Sequence, residues 1–257
     1  MALEWFRKLR RDFVKSRDAL VVIPSILKSI SEYASSLSEY ASSLLQERTS
    51  VGFHLRNIAN ESSAKFVLAN LNEGTLVFKK KNSLWDYVVS SINTSDPDSL
   101  FLEFGVYKGE SISYFANHLP KRMFYGFDSF AGLKENWTGT PGVKDKTFKI
   151  NESEVSVPKN VELVKGYFQD TLNDFLNKHR SQISFIHIDS DTFESARYIL
   201  ENVNDRLAPN AIILFDEFIG YPGYERGEFA AFYNWVGNRN YEYLAFFDQK
   251  ALIRILT

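Results

Sequence analysis

From Ser99 onward, short continuous apolar runs are each followed by polar or helical stretches. LFLEFGV precedes SISYFANHL, RMFYGFD stands alone, NVELVKG precedes FQDTLNDFLNKH, SFIHID precedes FESARYILENVNDRL, and AIILFDEF precedes EFAAFYNWVGN. Continuous apolar runs suit strands covered on both faces, so this rhythm predicts a parallel sheet with helices on either side. The tail departs from it: YEYLAFF and KALIRIL, joined by Asp248 and Gln249, predict a closing antiparallel hairpin. The expected fold class is α/β, a Rossmann-like sheet that is parallel except for a terminal antiparallel strand, with a helical segment in front.

That segment has its own period. SEYASSL at 31–37 is repeated unchanged at 38–44; Ile23, Ile30, Leu37 and Leu44 fall every seventh residue, with Ile26, Tyr33 and Tyr40 between them. A 3-4 apolar stripe predicts either one amphipathic helix on its own domain or a short coiled coil between chains. Pro24 suits the first turn of this helix. Before it, Trp5, Phe6, Leu9 and Phe13 share a face while Arg7, Lys8, Arg10 and Arg11 add positive charge, which fits a docking helix or an interfacial membrane helix. Residues 51–95 read as helical, with FVLANL and SLWDYVVSSI at helical spacing, and SDPD at 95–98 ends them. The division expected is 1–50, a heptad-containing oligomerisation segment; 51–96, a helical cap; and 97–257, the sheet domain.

Composition narrows the function classes. The 257 residues are 44% hydrophobic, enough for one full core, and carry 30 basic against 32 acidic side chains, so no overall field draws nucleic acid or acidic lipid. With no cysteine, disulfide scaffolds, thiolate catalysis and thiolate zinc sites are excluded. The charged start and the lack of a run near the roughly 20 apolar residues of a membrane span give cytoplasm as the expected location.

Chemistry gathers at the ends of the apolar runs. Glu103-Phe104-Gly105-Val106-Tyr107-Lys108-Gly109-Glu110-Ser111 places glycines at a strand-to-helix turn, where a ligand can approach the backbone and a helix N-terminus can receive an anionic group. Glu103 suits the cationic end of a zwitterionic amino acid, although two glycines in a turn are commonplace. Asp128, ending the second run, suits the two hydroxyls of a ribose, or simply a helix cap. Asp189 and Asp191 in HIDSD, and Asp216 and Glu217 in LFDEF, should open on the carboxyl edge of one sheet. Converging carboxylates repel unless a cation neutralises them, and an all-oxygen set suits Mg²⁺, Mn²⁺ or Ca²⁺; the bland alternative is helix caps and solvated acids.

EFGVYKGESI, FDSFAGL, KGYFQDTL, HIDSDTFESA and LFDEFIGYPG resemble successive motifs of class I S-adenosylmethionine-dependent methyltransferases, most closely the macrocin O-methyltransferase family, over about residues 99–256. The resemblance implies S-adenosylmethionine as donor, Mg²⁺ as cofactor, a helical lid, and a hydroxyl of a sugar or small natural product as acceptor. Departures are Asp216-Glu217, where the family usually has two adjacent aspartates, and the heptad segment in front. The expected cofactor residues are Glu103, Gly105, Val106, Gly109 and Ser111 around the methionine part, Asp128 and Ser129 at the ribose, Tyr167 and Phe168 at the adenine, and Asp189. Tyr167 and Phe168 fit a core role equally. Asp189, Asp216 and Glu217 are the expected metal ligands, Asp189 and Asp191 the catalytic pair with Asp191 as general base, and His187 a packed core histidine or an acceptor contact. The segment 137–157 and the run Gly220–Tyr224 are candidate covers for the acceptor. A nicotinamide dehydrogenase lacks its G-x-G-x-x-G turn here and leaves the acids unexplained; a nucleotide-binding oligomeric scaffold does not need them. The partners expected are a small-molecule or glycan acceptor and a second copy of the chain, with no nucleic acid.

Overall fold

The computed structural model of the protein describes residues 4, 7, 8, 11, 19–133 and 148–256, and the side chains of 19–26, 44 and 47 lie outside that description. Trp5, Phe6, Leu9, Arg10, Phe13, the side chains of Ile23, Ile26 and Leu44, and positions 137–147 of the candidate cover therefore lie outside the described residues. Contacts divide the chain after His54.

In the first unit, helix α1 runs Ala19–Arg48. Because the chain is already helical at Ala19, Pro24 lies beyond the first turn of α1 and not in it as expected. Along α1, Ile30, Tyr33, Leu37 and Tyr40 are 48–63% exposed, so the described part of the heptad stripe faces outward. Among the described residues no helix is long and apolar enough to cross a membrane.

Helix α2, Val51–Asn70, leads into the second unit. The region expected to be helical through residue 95 is interrupted. Asn72 Oδ1 accepts from Gly74 N in a turn, and Leu76–Val77 then form strand β1 before helix α3, Lys81–Ser91. A local Asn-Glu-Gly-Thr turn overrides helical spacing there.

The apolar runs become strands β2 (Leu100–Phe104), β3 (Phe124–Asp128), β4 (Val161–Lys165), β5 (Ile183–Ile188) and β6 (Leu207–Phe215), parallel throughout. Helices α4 (Glu110–His118), α5 (Phe168–Lys178), α6 (Phe193–Val203) and α7 (Glu228–Val236) connect them, and β7 (Asn240–Phe247) and β8 (Lys250–Leu256) form the hairpin. The sheet order is β1-β7-β8-β6-β5-β2-β3-β4, with β8 antiparallel to both neighbours. Every residue of β2 and β5 is buried, as strands covered on both faces must be. One face packs α5, α6 and α7 through Leu172, Phe175, Ile199, Leu200, Phe232 and Val236; the other packs α3 and α4 through Leu84, Trp85, Val88, Ile112 and Phe115.

Segment 55–96 belongs to the same compact unit as the sheet. Phe66 of α2 makes edge contacts with Phe229, Tyr243 and Phe246, and β1 adds a parallel edge to β7. Leu84, fully buried on α3, tests this integration: Leu84→Ala should cost about 2–5 kcal/mol of unfolding free energy. Urea denaturation followed at the tryptophans checks it, and an unchanged midpoint would mean that α3 is not part of the core.

Candidate active site

Strand order reverses direction at β2: the chain moves out through β3 and β4, then returns to place β5 on the other flank of β2. Ligands of open α/β sheets sit at the carboxyl edge of such a switch point. Here the backbone bonds continue past the strands. Gly105 N donates to Phe127 O, Asp189 N to Phe104 O, and Asp216 N to Ile188 O, each at 2.9 Å, so these edge residues stand side by side. Gly105, at φ 94°, is a close-approach position where a Cβ would lie 1.8 Å from Asp189 O.

A cavity of about 310 Å³ opens there, lined by Gly105, Asp128 and Ser129, by Tyr167 and Phe168, and by Asp189, Asp191, Asp216 and Glu217. Its size falls at the lower end of the roughly 300–1,000 Å³ of small-molecule pockets. Phe148, from the described end of the expected cover, also contributes. The Gly220–Tyr224 loop does not. Tyr221 and Tyr224 are buried, Gly220 N donates to Ser63 Oγ, and Tyr224 OH shares a 2.9 Å hydrogen bond with Ser62, so the loop is packed on α2.

At one end, Asp128 Oδ2 accepts from Val106 N at 2.9 Å and Tyr107 N at 2.7 Å, while Oδ1 accepts from Phe130 N at 2.7 Å. These bonds fold the glycine turn against β3 and hold the carboxylate at the wall. Ser129 Oγ donates to Gly132 O and accepts from Ala131 N. Phe168 is partly buried against Phe104, so it is both core and wall.

Glu103, Val106, Gly109 and Ser111 are not in the wall. Val106 packs in the core and Gly109, at φ 77°, caps α4. Glu103 is 1% exposed, with Oε1 accepting from Ser111 Oγ at 2.9 Å and Oε2 paired to His187 Nδ1 at 2.8 Å. The expected amine-binding carboxylate is thus engaged inside the sheet, because Glu103 lies a residue short of the strand end.

At the other end the acids split into two sets. Ligand atoms of Asp189, Asp191 and Glu217 lie within 4.8 Å of one another, as do those of His187, Asp189 and Asp216. Asp216 is the compensated member. His187 Nε2 lies 3.5 Å from its Oδ1, and Lys250 Nζ donates to Oδ2 at 2.7 Å. Burial opposes a charged His187, but the Glu103 carboxylate, with Asp216, outweighs it and carries the imidazole up to about 10. Burial likewise pushes Asp216 up, yet His187 and Lys250 hold it well below the usual carboxylate range.

The other acids go the opposite way. Burial, then the neighbouring charge of Asp216, pushes Asp189 well up; burial, then Asp189, does the same to Glu217. Burial, then Glu228, takes Asp191 up to about 8. Glu217 Oε2 is buried without a hydrogen-bond partner. Clustered carboxylates short of positive charge are the donor set that a hard divalent cation fits.

Lys250 and Glu228 carry chemistry that sequence reading did not single out. Lys250 begins a strand that pairs antiparallel beside β6, and Glu228 opens an apolar helix; nothing local distinguishes either from a solvated charge. His187 is buried as expected, but as a charged link between Glu103 and Asp216.

The sheet order, with its antiparallel strand inserted between β7 and β6, and the switch-point cavity define a class I methyltransferase fold. Residues 102–218 match the family described as "Methyltransferase domain", and that part of the chain is a class I S-adenosylmethionine-dependent methyltransferase domain. A curated relative from Streptomyces olivaceus, 8-demethyl-8-(2,3-dimethoxy-alpha-L-rhamnosyl)-tetracenomycin-C 4'-O-methyltransferase, is 24% identical over 166 residues, or 56% of this chain; the chain spans 62% of that relative's length. The crystal structure of CalS11, a calicheamicin methyltransferase, superposes with a TM-score of 0.55 at 22% identity, covering 67% of this chain and 76% of that one. The O-methyltransferase NovP gives 0.50 at 15% identity, over 68% and 78%. These structural likenesses concern the fold.

The raised acids set a pH dependence for the metal-free protein. Asp191 rises from 3.8 to about 8 and Glu228 from 4.5 to about 7, so from about pH 4 to 8 the folded state binds more protons than the unfolded chain. Stability from these groups is present at low pH and lost as pH rises; His187, raised from 6.5 to about 10, adds loss of the same sign above 6.5, whereas the lowered Asp216 acts below this window. The melting temperature in EDTA should therefore fall from about pH 5 to about pH 8.5, and Mg²⁺ should restore more of it at the higher pH. A melting temperature that rises across this window in EDTA would contradict the assignment.

Proposed function

We propose that this chain is an S-adenosylmethionine-dependent O-methyltransferase that acts, with a divalent cation, on a hydroxyl of a sugar or small natural-product acceptor. One observation carries the reading: a single cavity joins a carboxylate and aromatic walls at one end to a carboxylate cluster short of positive charge at the other. S-adenosylmethionine supplies a methyl group on a sulfonium, and the cation supplies charge that lowers the pKa of an acceptor hydroxyl.

The chain's own groups do the positioning. Asp128 Oδ1, which accepts one backbone N–H where Oδ2 accepts two, keeps a lone pair for a ribose hydroxyl, Tyr167 and Phe168 offer flat faces for a base, and Gly105 lets the ligand approach the backbone. Asp189 and Glu217 remain the proposed cation ligands, and Asp191 joins them with one oxygen while keeping the other for the hydroxyl proton. Asp216, already carrying Lys250, is reassigned from ligand to a fixed acceptor that orients the hydroxyl. Ser190, Thr192 and Ser195 give this end a polar wall that suits a polyhydroxylated acceptor. A nicotinamide reading leaves the acid cluster without work.

Two measurements test the reading together. Asp128→Ala should weaken S-adenosylhomocysteine binding in calorimetry by roughly 1.5–3 kcal/mol, the scale of a charged hydrogen bond to a hydroxyl. Methyl transfer to a hydroxylated acceptor should stop in EDTA and return with Mg²⁺. Full affinity in folded Asp128→Ala, or full activity in chelator, would remove the corresponding half of the proposal.

For assembly, we propose that α1 pairs with α1 of a second copy. The exposed Ile30, Tyr33, Leu37 and Tyr40 at 3-4 spacing support this, since a stripe so narrow suits one partner helix of the same kind. Leu37→Glu should lower the native mass in light scattering, because a charge in each copy of the seam is costly to bury. Retention of the wild-type mass by an oligomer would exclude this helix as the interface.

A further inference from the structure

Glu228 is a buried acid to which the proposed chemistry gives no task. It stands at the first position of α7 and is 0% exposed. Its Oε1 accepts from Ser190 N at 3.0 Å and Ser190 Oγ at 3.2 Å, and its Oε2 accepts from Glu217 N at 3.2 Å. Ser190 lies between Asp189 and Asp191, and Glu217 follows Asp216. One carboxylate thus ties together two turns, one after β5 and one after β6, that between them carry every acid of the cluster.

This placement has an electrostatic cost. A further carboxylate beside Asp191 and Asp216 adds repulsion, and no cationic side chain is hydrogen-bonded to it among the described residues. A neutral side chain would pack in the same volume at less cost. What only an ionised carboxylate supplies is acceptors on both oxygens and no donor, which the peptide N–H groups of 190 and 217 require. Glutamine in the same volume would turn an N–H₂ toward one of these donors and leave that turn untied.

We propose that Glu228 is a positioning residue: it clamps the Asp189–Asp191 turn to the Asp216–Glu217 turn and so fixes the spacing of the acids that hold the cation. The proposal rests on the reading of that cluster as a divalent-cation site. Glu228 itself touches neither acceptor nor donor; it acts through the backbone of its two neighbours.

The test uses the full chain and Mn²⁺ as probe, followed by electron paramagnetic resonance, with S-adenosylhomocysteine affinity measured separately by calorimetry. Glu228→Gln should weaken Mn²⁺ binding by about 10- to 100-fold, the usual loss when a group behind a metal ligand is removed. S-adenosylhomocysteine affinity and the melting temperature in EDTA should not fall, because Asp128 and Tyr167 lie at the other end of the cavity. In turnover, kcat should drop at saturating Mg²⁺ while KM for S-adenosylmethionine stays constant.

Wild-type Mn²⁺ affinity in Glu228→Gln would overturn the proposal. So would joint loss of Mn²⁺ and S-adenosylhomocysteine binding in a folded variant, which would make the residue a general support of the fold. If Glu228→Gln does not fold, Ser190→Ala removes one of the three bonds and should still cost about threefold in Mn²⁺ affinity; no change there would overturn the clamp. Failure of the unsubstituted protein to bind Mn²⁺ sinks the cation reading itself, and is distinguished by appearing before any substitution.

Discussion

Carboxylates brought together out of water repel one another, and each also loses hydration, so a cluster of them survives only where protons, cations or hydrogen-bond donors offset both effects. The site end of this sheet is organised around that constraint. Asp216 is offset by Lys250 and the His187 imidazolium, and Glu228 by the donors of Ser190 and the Glu217 peptide. Among the described residues no cationic side chain hydrogen-bonds to Asp189, Asp191 or Glu217, and burial together with the neighbouring carboxylates pushes all three up. That deficit of positive charge is what supports the proposed divalent-cation site, since a bound ion would offset it.

The fold supplies this arrangement through its strand order. Reversal at β2 brings Gly105 and Asp189 side by side, and the Cβ-less Gly105 permits the backbones to come close. The antiparallel β8 then slots next to β6, which carries Lys250 to Asp216. From the outer side, α2 packs Phe66 on Phe218, and Ser63 receives Gly220 N, so the turn holding Asp216 and Glu217 is supported from behind. The cofactor end depends on a different contact: Asp128 draws the Val106–Tyr107 peptides to β3 and shapes the turn over the cavity. Helical segment 55–96 is therefore part of the support of the catalytic domain.

Much of this was legible from the order of residues alone. Continuous apolar runs alternating with helical periods specify a parallel sheet because backbone geometry forces side chains into periods of 2 and 3.6, and the Asp248-Gln249 break marked the hairpin. Acids at the ends of successive runs were bound to meet, since parallel strands present their carboxyl ends on one edge. The heptad was equally plain, being a property of one helix.

Tertiary structure decided what each acid does there. Glu103 lies in the first strand motif, yet one residue of depth put it inside the sheet against His187 and left Gly105 at the wall. Asp216 and Glu217 are neighbours in the chain, but Lys250, 34 residues further on in β8, hydrogen-bonds to Asp216 and leaves Glu217 Oε2 buried without a hydrogen-bond partner. Glu228 opens a helix as an ordinary first-turn acid and became a clamp only when Ser190 and Glu217 folded against it. Local periodicity fixes which way a side chain points along its own element. Charge state and hydrogen-bond partners depend on which distant groups the packing brings within a few ångströms, and that distance is not written in any single stretch of sequence.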